Sequence, residues 1–270
     1  MPELPEVEVT RLGITPFVEK QRITRIKVHQ AKLRWPVPET VRLAEGQLVN
    51  AVTRRAKYLF LHTDAGSIIL HLGMSGKMRV IDTHLSPKKH DHIEIELQNG
   101  KKLVLNDPRR FGCCLWQAPD AQELSILQKL GPEPLTEAFA SDYLYNKSRN
   151  KTGPVKSFIM DNAVVVGVGN IYANESLFRA GIDPRRAAGK ISKKRYQALT
   201  GHIKEVLAGA IAQGGTTLQD FAQADGNPGY FAQHLQVYGK ANEACENCTK
   251  PIRSVIIGQR NTFYCPSCQR

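Results

Sequence analysis

Near the end of the chain, Cys245-Glu-Asn-Cys248 and Cys265-Pro-Ser-Cys268 stand with sixteen residues between the two pairs. Two thiolates two residues apart on a tight turn face one point, and two such turns at the ends of a hairpin close a tetrahedron of sulfur, which is the spacing of a zinc site. With sulfur at all four positions the ion is expected to be structural, one per chain, and the tail to fold around it. Paired disulfides are the alternative. The N-terminus lacks a basic-then-apolar export signal, so a cytoplasmic location is expected, where thiols stay reduced.

The remaining length, within 270 residues, allows two domains of ordinary size. The apolar fraction of 41% is that of a globular protein, and no run of about 18 apolar residues suggests a membrane span. Charge is the informative quantity. Lys and Arg number 37 against 25 acids, a formal net charge of +12, which points to a polyanionic partner, nucleic acid first.

Between Arg22 and Trp116 the segments RITRIKVH, KYLFLHT, SIILHLG, KMRVI, DHIEIEL and KLVL alternate apolar and polar residues and predict an antiparallel sandwich or barrel after an N-terminal helix. HIEIELQNGKKLVL reads as a hairpin, with Asn99-Gly100 predicting a type I′ turn. Cys113 and Cys114, in the strand-like FGCCLW, read as core or edge residues. After about Leu130 the pattern turns helical. GPEPLTE is the hinge candidate, and a helix capped by Ser192 places Tyr196, Leu199, Ile203, Val206, Leu207, Ala210 and Ile211 on one face before Gly214-Gly215.

Two stretches are poorly explained by packing. MPELPEVE places Pro5 and acids where a helix start favours them, but this leaves Pro2 without a reason. In VVVGVGNIYANE, Gly167 and Gly169 permit a tight turn and Asn170 is expected to cap the following helix, whose exposed amides suit an anion. A plain helix-turn-helix elbow explains that stretch equally well.

These stretches, together with RRAKY, HLGMSG, KHDH, NDPRRFG, QGGTTLQDF, DGNPGYFAQHLQVYG and the four-cysteine tail, resemble the formamidopyrimidine-DNA glycosylases, bacterial repair enzymes for oxidised purines, in family order from Met1 to Arg270. PELPEVE favours this branch over the related endonuclease VIII enzymes, which act on oxidised pyrimidines. A non-catalytic zinc-hairpin DNA-binding protein is the other alternative. The resemblance implies an α+β fold: an N-terminal β-sandwich with flanking helices over 1–131, a linker and first helix over 132–150, a helix-two-turn-helix domain over 151–235 and a four-cysteine zinc-finger hairpin over 236–270. It also implies a monomer acting on double-stranded DNA that carries oxidised purines or abasic sites.

The resemblance implies roles as well. Pro2, once Met1 is removed, is a secondary amine able to attack the sugar C1′ and form an iminium. Glu3 is the acid/base beside it, Glu6 helps hold the site, and Lys57 and Arg260 are further catalytic candidates. Met74, Arg109 and Phe111 would fill the void of an extruded nucleotide. By residue type alone, Met74 and Phe111 are better read as core. His90, Arg109, Lys151, Asn170, Lys57 and Arg260 would grip phosphates, with Arg149 able to share the role of Lys151. Arg54, Arg55 and Arg110 read as solvated charges. TTLQDFAQADGNPGYF resembles a loop over the extruded base, with Gln219 at a place often basic in relatives.

Overall fold

The computed structural model describes residues 2–216 and 230–270. The chain forms two compact units: Met1–Gln128 with Gln213–Ala232, and Lys129–Ala212 with Gln233–Arg270.

The first unit opens with helix α1 (Leu4–Val18), whose N-cap is Glu3 and whose Pro5 sits in the first turn. Eight strands follow: β1 (Ile23–Val28), β2 (Ala51–Arg55), β3 (Tyr58–Thr63), β4 (Gly66–His71), β5 (Lys77–Asp82), β6 (Asp91–Leu97), β7 (Lys101–Asn106) and β8 (Cys113–Gln117). They form two antiparallel four-stranded sheets, ordered β1-β6-β7-β5 and β2-β3-β4-β8. One core joins them: Ile26, Ile93, Ile95, Leu103 and Met78 from the first sheet, Val52, Leu59, Leu61, Ile68 and Leu70 from the second, and Val7, Ile14 and Val18 from α1. Of the sandwich or barrel that strand alternation left open, this is the sandwich, with one face of helix α1 packed into its core. Cys113 and Cys114 lie in edge strand β8, each about 1% exposed. Burial pushes the Cys113 thiol up to about 12 and raises that of Cys114 also, so both are packed and inert.

The β6–β7 turn corrects one expectation. Type I′ requires positive φ at both Asn99 and Gly100, but among residues 98–100 only Gly100 (φ +76°) has it. The loop spans three residues, Gln98–Gly100, and the Gly100 N–H returns to the Leu97 carbonyl at 3.2 Å. A three-residue loop needs one left-handed position, and glycine supplies it.

A short helix, α2 (Ser125–Gln128), ends the first long segment of this unit. Residues 213–216 and 230–232 pack with this unit. Their anchor lies far away in sequence: the Thr216 N–H donates to Glu6 Oε1 at 2.9 Å. Thr216 and Tyr230 form an antiparallel bridge. Gln219 and most of the segment likened to a loop over the base lie outside the described residues.

The second unit holds α3 (Tyr143–Ser148), α4 (Val155–Met160), α5 (Asn170–Arg179) and α6 (Lys193–Ala212), then a hairpin of β9 (Arg253–Ile257) and β10 (Arg260–Tyr264). Tyr196, Leu199, Ile203, Val206, Leu207 and Ala210 of α6 are fully buried, as the 3.6-residue spacing predicts. Helix α5 is capped by Gly169 without a side-chain bond. Asn170 is therefore the first helical residue and not the cap.

Candidate active site and zinc hairpin

In the first unit, Pro2 is buried and leads into Glu3 and Glu6, each about 2% exposed. These two acids form a reciprocal capping box at the start of α1. Glu6 Oε2 accepts the Glu3 N–H at 2.9 Å while its other oxygen takes the Thr216 N–H. Glu6 thus fixes the backbone beside Pro2 with both oxygens, so the Glu6 carboxylate is a structural part of the helix start.

Lys57 lies in the two-residue turn between β2 and β3, preceded by Ala56 at φ +53°. The turn is held by Arg54, which donates to the Ala56 carbonyl at 2.8 Å and to Glu8 Oε2 at 2.8 Å. Arg54 is thus a tie between α1 and the Lys57 turn and not a solvated charge. Glu8 also accepts from Arg11 at 2.6 Å. Burial works to raise the Glu8 pKa, but the two guanidiniums hold the carboxyl below its usual range. Beside the turn, Tyr58 pairs with His71 across β3 and β4. Burial, then the positive charges of Lys57 and Arg34, pushes His71 down to about 4. The neutral ring accepts the Gly73 N–H on Nδ1 at 2.9 Å.

That bond shapes the HLGMSG turn, which carries half-buried Met74. Gly73 has φ +63°, and a Cβ there would stand 2.5 Å from both Gly112 N and Phe111 C. The Met74 turn and the NDPRRFG turn therefore touch backbone to backbone, a contact that only glycine permits. Phe111 is 43% exposed, and the Arg109 guanidinium lies 4.8 Å from its ring centroid. Both side chains thus lie on turns, and Phe111 is no core residue. His90 sits on a third turn at φ +72°. Buried Asp91 braces it, paired with Arg79 at 2.6 Å and accepting the Lys88 N–H at 2.8 Å. Burial raises the Asp91 pKa, yet the Lys88 N–H, Asn106 amide and Arg79 guanidinium together hold it below the ordinary carboxylate range.

In the second unit the four cysteine sulfurs lie within 4.8 Å of one another. The Cys245–Cys268 and Cys248–Cys265 separations are 3.9 and 3.4 Å, against an edge of about 3.8 Å for a tetrahedron with Zn–S bonds near 2.3 Å. The donor set fits one structural zinc ion. Backbone N–H donation from Lys250 is the main influence drawing the Cys248 thiol down to about 7, toward the thiolate that ligates metal. Around the sulfurs, Phe178, Val237 and Ile252 make a small core.

The hairpin is tied to α4 and α5. Buried Lys156 donates to the Asn261 carbonyl at 3.1 Å and to Thr262 Oγ1 at 2.6 Å. Asn170 Nδ2 donates to the same carbonyl at 3.1 Å, and Asn174 Oδ1 accepts the Phe263 N–H at 2.7 Å. Arg260, exposed, begins the strand so held. Glu175, fully buried, accepts the N–H groups of Gln236, Val237 and Tyr238 at 2.8 to 3.0 Å. Lys151 is exposed. Arg149, half-buried, donates to the Tyr145 and Ile191 carbonyls and stacks 4.0 Å from the Tyr145 ring.

Models of three domains match the chain in order: the formamidopyrimidine-DNA glycosylase N-terminal domain over residues 1–114, that enzyme's H2TH domain over 130–222, and a zinc finger found in FPG and IleRS over 242–270. The chain belongs to the formamidopyrimidine-DNA glycosylase family. Curated relatives of that name from Alteromonas mediterranea and Pseudoalteromonas atlantica are 63% and 64% identical, with all of both chains covered. Among solved structures, the MutM (Fpg) protein from Thermus thermophilus is similar at a TM-score of 0.89 and 38% identity, covering 99% of this chain and 98% of that one. A Lactococcus lactis Fpg mutant in complex with Fapy-dG-containing DNA is similar at 0.91 and 30%, with full coverage of both. The chain is thus a DNA glycosylase with abasic-site lyase activity, and its fold is the family's α+β sandwich, helical domain and zinc hairpin. Among the described residues no helix is long and apolar enough to cross a membrane.

The sequence reading missed Lys156, Asp107 and Glu175, and misread Arg54. Three of them lie inside the quoted motifs RRAKY, NDPRRFG and VVVGVGNIYANE, and only the fold reveals which backbone groups each charged side chain meets.

Proposed function

We propose that this enzyme acts as a monomer on double-stranded DNA, excising oxidised purines such as 8-oxoguanine and formamidopyrimidines with Pro2 as nucleophile. With Met1 removed, the Pro2 nitrogen attacks C1′ of the extruded nucleotide, and the base leaves with the electron pair of its glycosidic bond. Glu3 protonates the sugar ring oxygen as the C1′–O bond opens, giving an iminium. The positive nitrogen acidifies C2′. Loss of that proton expels the 3′ phosphate, and a second elimination expels the 5′ phosphate. Lys57 and Arg260 assist these eliminations. His90, Arg109, Lys151 and Asn170 contact the backbone around the site, while Met74, Arg109 and Phe111 occupy the gap left in the stack.

The observation that carries this reading is buried Pro2 leading into a Glu3–Glu6 pair whose bonds fix the backbone beside it. A merely structural helix start gains nothing from a proline before the cap. The similar Lactococcus lactis structures, complexes with Fapy-dG-containing and abasic-site DNA, support the substrate class. Borohydride reduction during reaction with an 8-oxoguanine duplex tests the nucleophile. The expected outcome is a covalent adduct mapping to Pro2, absent when Met1 is retained because the nitrogen is then acylated. Glu3→Gln should lose excision of the intact lesion yet keep cleavage at a preformed abasic site, where the aldehyde is already present. An adduct on Lys57 with Pro2 unmodified overturns the mechanism.

A further inference from the structure

Asp107 precedes the Pro108-Arg109-Arg110-Phe111 turn and is wholly buried. One carboxylate oxygen accepts the Gly112 N–H at 2.7 Å, closing that turn; the other faces Ser75 Oγ at 3.3 Å, on the turn that carries Met74. Its backbone reaches a third turn. The Asp107 N–H donates to the His90 carbonyl at 3.0 Å, and its carbonyl takes the Arg110 N–H at 3.1 Å and contacts His92 Nε2 at 2.9 Å. The preceding residue adds to the link, since Asn106 Nδ2 donates to the Lys89 carbonyl and to Asp91. Three turns distant in sequence thus converge on one side chain and its peptide groups.

We propose that Asp107 is a positioning residue for base extrusion, locking the Met74, Arg109–Phe111 and His90 turns into one rigid unit that enters the DNA together. The inference rests on the reading that these side chains fill the extrusion gap, and extends it to a residue that touches no DNA. A wedge works only if its side chains hold their spacing while the stack is forced open. Three independent loops would each yield. Direct backbone contact of Gly73 with Phe111 and Gly112 sets the distance between two of the turns, and the Asp107 carboxylate, accepting the Gly112 N–H at 2.7 Å on one side and the longer Ser75 hydroxyl contact at 3.3 Å on the other, keeps them there. Alanine at 107 would leave the buried Gly112 N–H without its acceptor and release the Ser75 link.

The test is a double-mutant cycle in the full-length zinc enzyme, measured as single-turnover excision of 8-oxoguanine paired with cytosine, with cleavage at a preformed abasic site as the second arm. Asp107→Ala should slow excision roughly 10- to 100-fold, the range expected from an unsatisfied buried donor, while abasic cleavage changes less than about threefold. Asp107→Asn should recover most of the rate, because its amide oxygen can accept from Gly112 and its NH2 can donate to Ser75 Oγ. Arg109→Ala should cost far less in the Asp107→Ala background than in the wild type, since the turn it acts from is already released. Should Asp107→Ala fail to fold, the milder Ser75→Ala with Met74→Ala gives the same cycle. Equal factors for Arg109→Ala in both backgrounds, or equal loss on both arms, overturns the proposal. A wild-type enzyme that cleaves abasic sites but leaves 8-oxoguanine in place counts against the extrusion reading itself.

Discussion

His71 should make the sandwich acid-sensitive by a calculable amount. Its Nδ1 must stay unprotonated to accept the Gly73 N–H, and burial with the nearby Lys57 and Arg34 charges brings it down to about 4 from an ordinary value of 6.5. A depressed histidine favours the folded state when neutral. Its stabilising effect is therefore complete above pH 6.5 and is lost as pH falls from 6.5 toward 4, because the unfolded chain binds the proton first. At about 1.36 kcal/mol per unit the full loss is on the order of 3 kcal/mol, and about 2 kcal/mol of it is gone by about pH 5. His71 keeps some solvent contact, so these are upper figures. Both tryptophans, Trp35 and Trp116, belong to the first unit, so urea unfolding followed by tryptophan fluorescence reports on the sandwich and not on the zinc hairpin. The comparison is wild type against His71→Asn, which keeps an acceptor for Gly73 but does not titrate. Between about pH 7.5 and 5 the wild type should lose up to about 2 kcal/mol more than the variant. Parallel pH dependence of the two proteins would show that the ring is not held neutral and that the Met74 turn is shaped by something else.

Cys248→Ser should lower zinc content and DNA affinity together while leaving the fluorescence-detected urea transition of the sandwich in place, since the hairpin core of Phe178, Val237 and Ile252 is too small to hold without metal; full affinity in a zinc-free variant refutes this. Lys151→Ala and Arg260→Ala, each removing one exposed cation, should weaken binding to damaged and undamaged duplexes alike and reduce the slope of log K against log salt by about 1, measured by fluorescence anisotropy across a salt series. An unchanged slope removes the residue from the phosphate contacts.

What was legible in the sequence depended on how far each structural cause reaches along the chain. Cysteine spacing is local, and it gave a sulfur cluster of tetrahedral dimensions. Alternation is local too, and it gave the strands of the sandwich, as the 3.6-residue repeat gave the buried face of α6. Errors arose where a residue's partner is distant. Asn170 looked like a helix cap because asparagine caps helices, but Gly169 holds the cap position, and the Asn170 side chain donates through Nδ2 to the Asn261 carbonyl, 91 positions away. Arg54 looked like a solvated charge, but its guanidinium bonds the Glu8 carboxylate, 46 positions away. The Asn99-Gly100 turn failed for a subtler reason: loop length decides which positions need positive φ, and this loop has three residues where a type I′ turn has two.

The acids show the same limit from the other side. In a chain of net charge +12, carboxylates read naturally as scattered neutralisers on a basic surface. Yet Glu6, Asp91, Asp107 and Glu175 are all buried, none more than 4% exposed, and each accepts a backbone N–H at the end of a turn or connecting segment. A buried carboxylate without such donors would be strongly unfavourable, so these four positions tolerate no loop conformation but the one that supplies them. Three of the four brace segments carrying residues proposed to meet the DNA: Glu6 beside Pro2, Asp91 beneath His90, and Asp107 between Met74 and Phe111. The fourth, Glu175, pins the chain as it enters the zinc hairpin that bears Arg260. A surface that must present cations to a polyanion cannot rely on surface ion pairs to hold its loops, because the DNA phosphates would compete for the same cations. Placing the fixing charges inside, on backbone donors the DNA cannot reach, leaves the exposed cations available for binding.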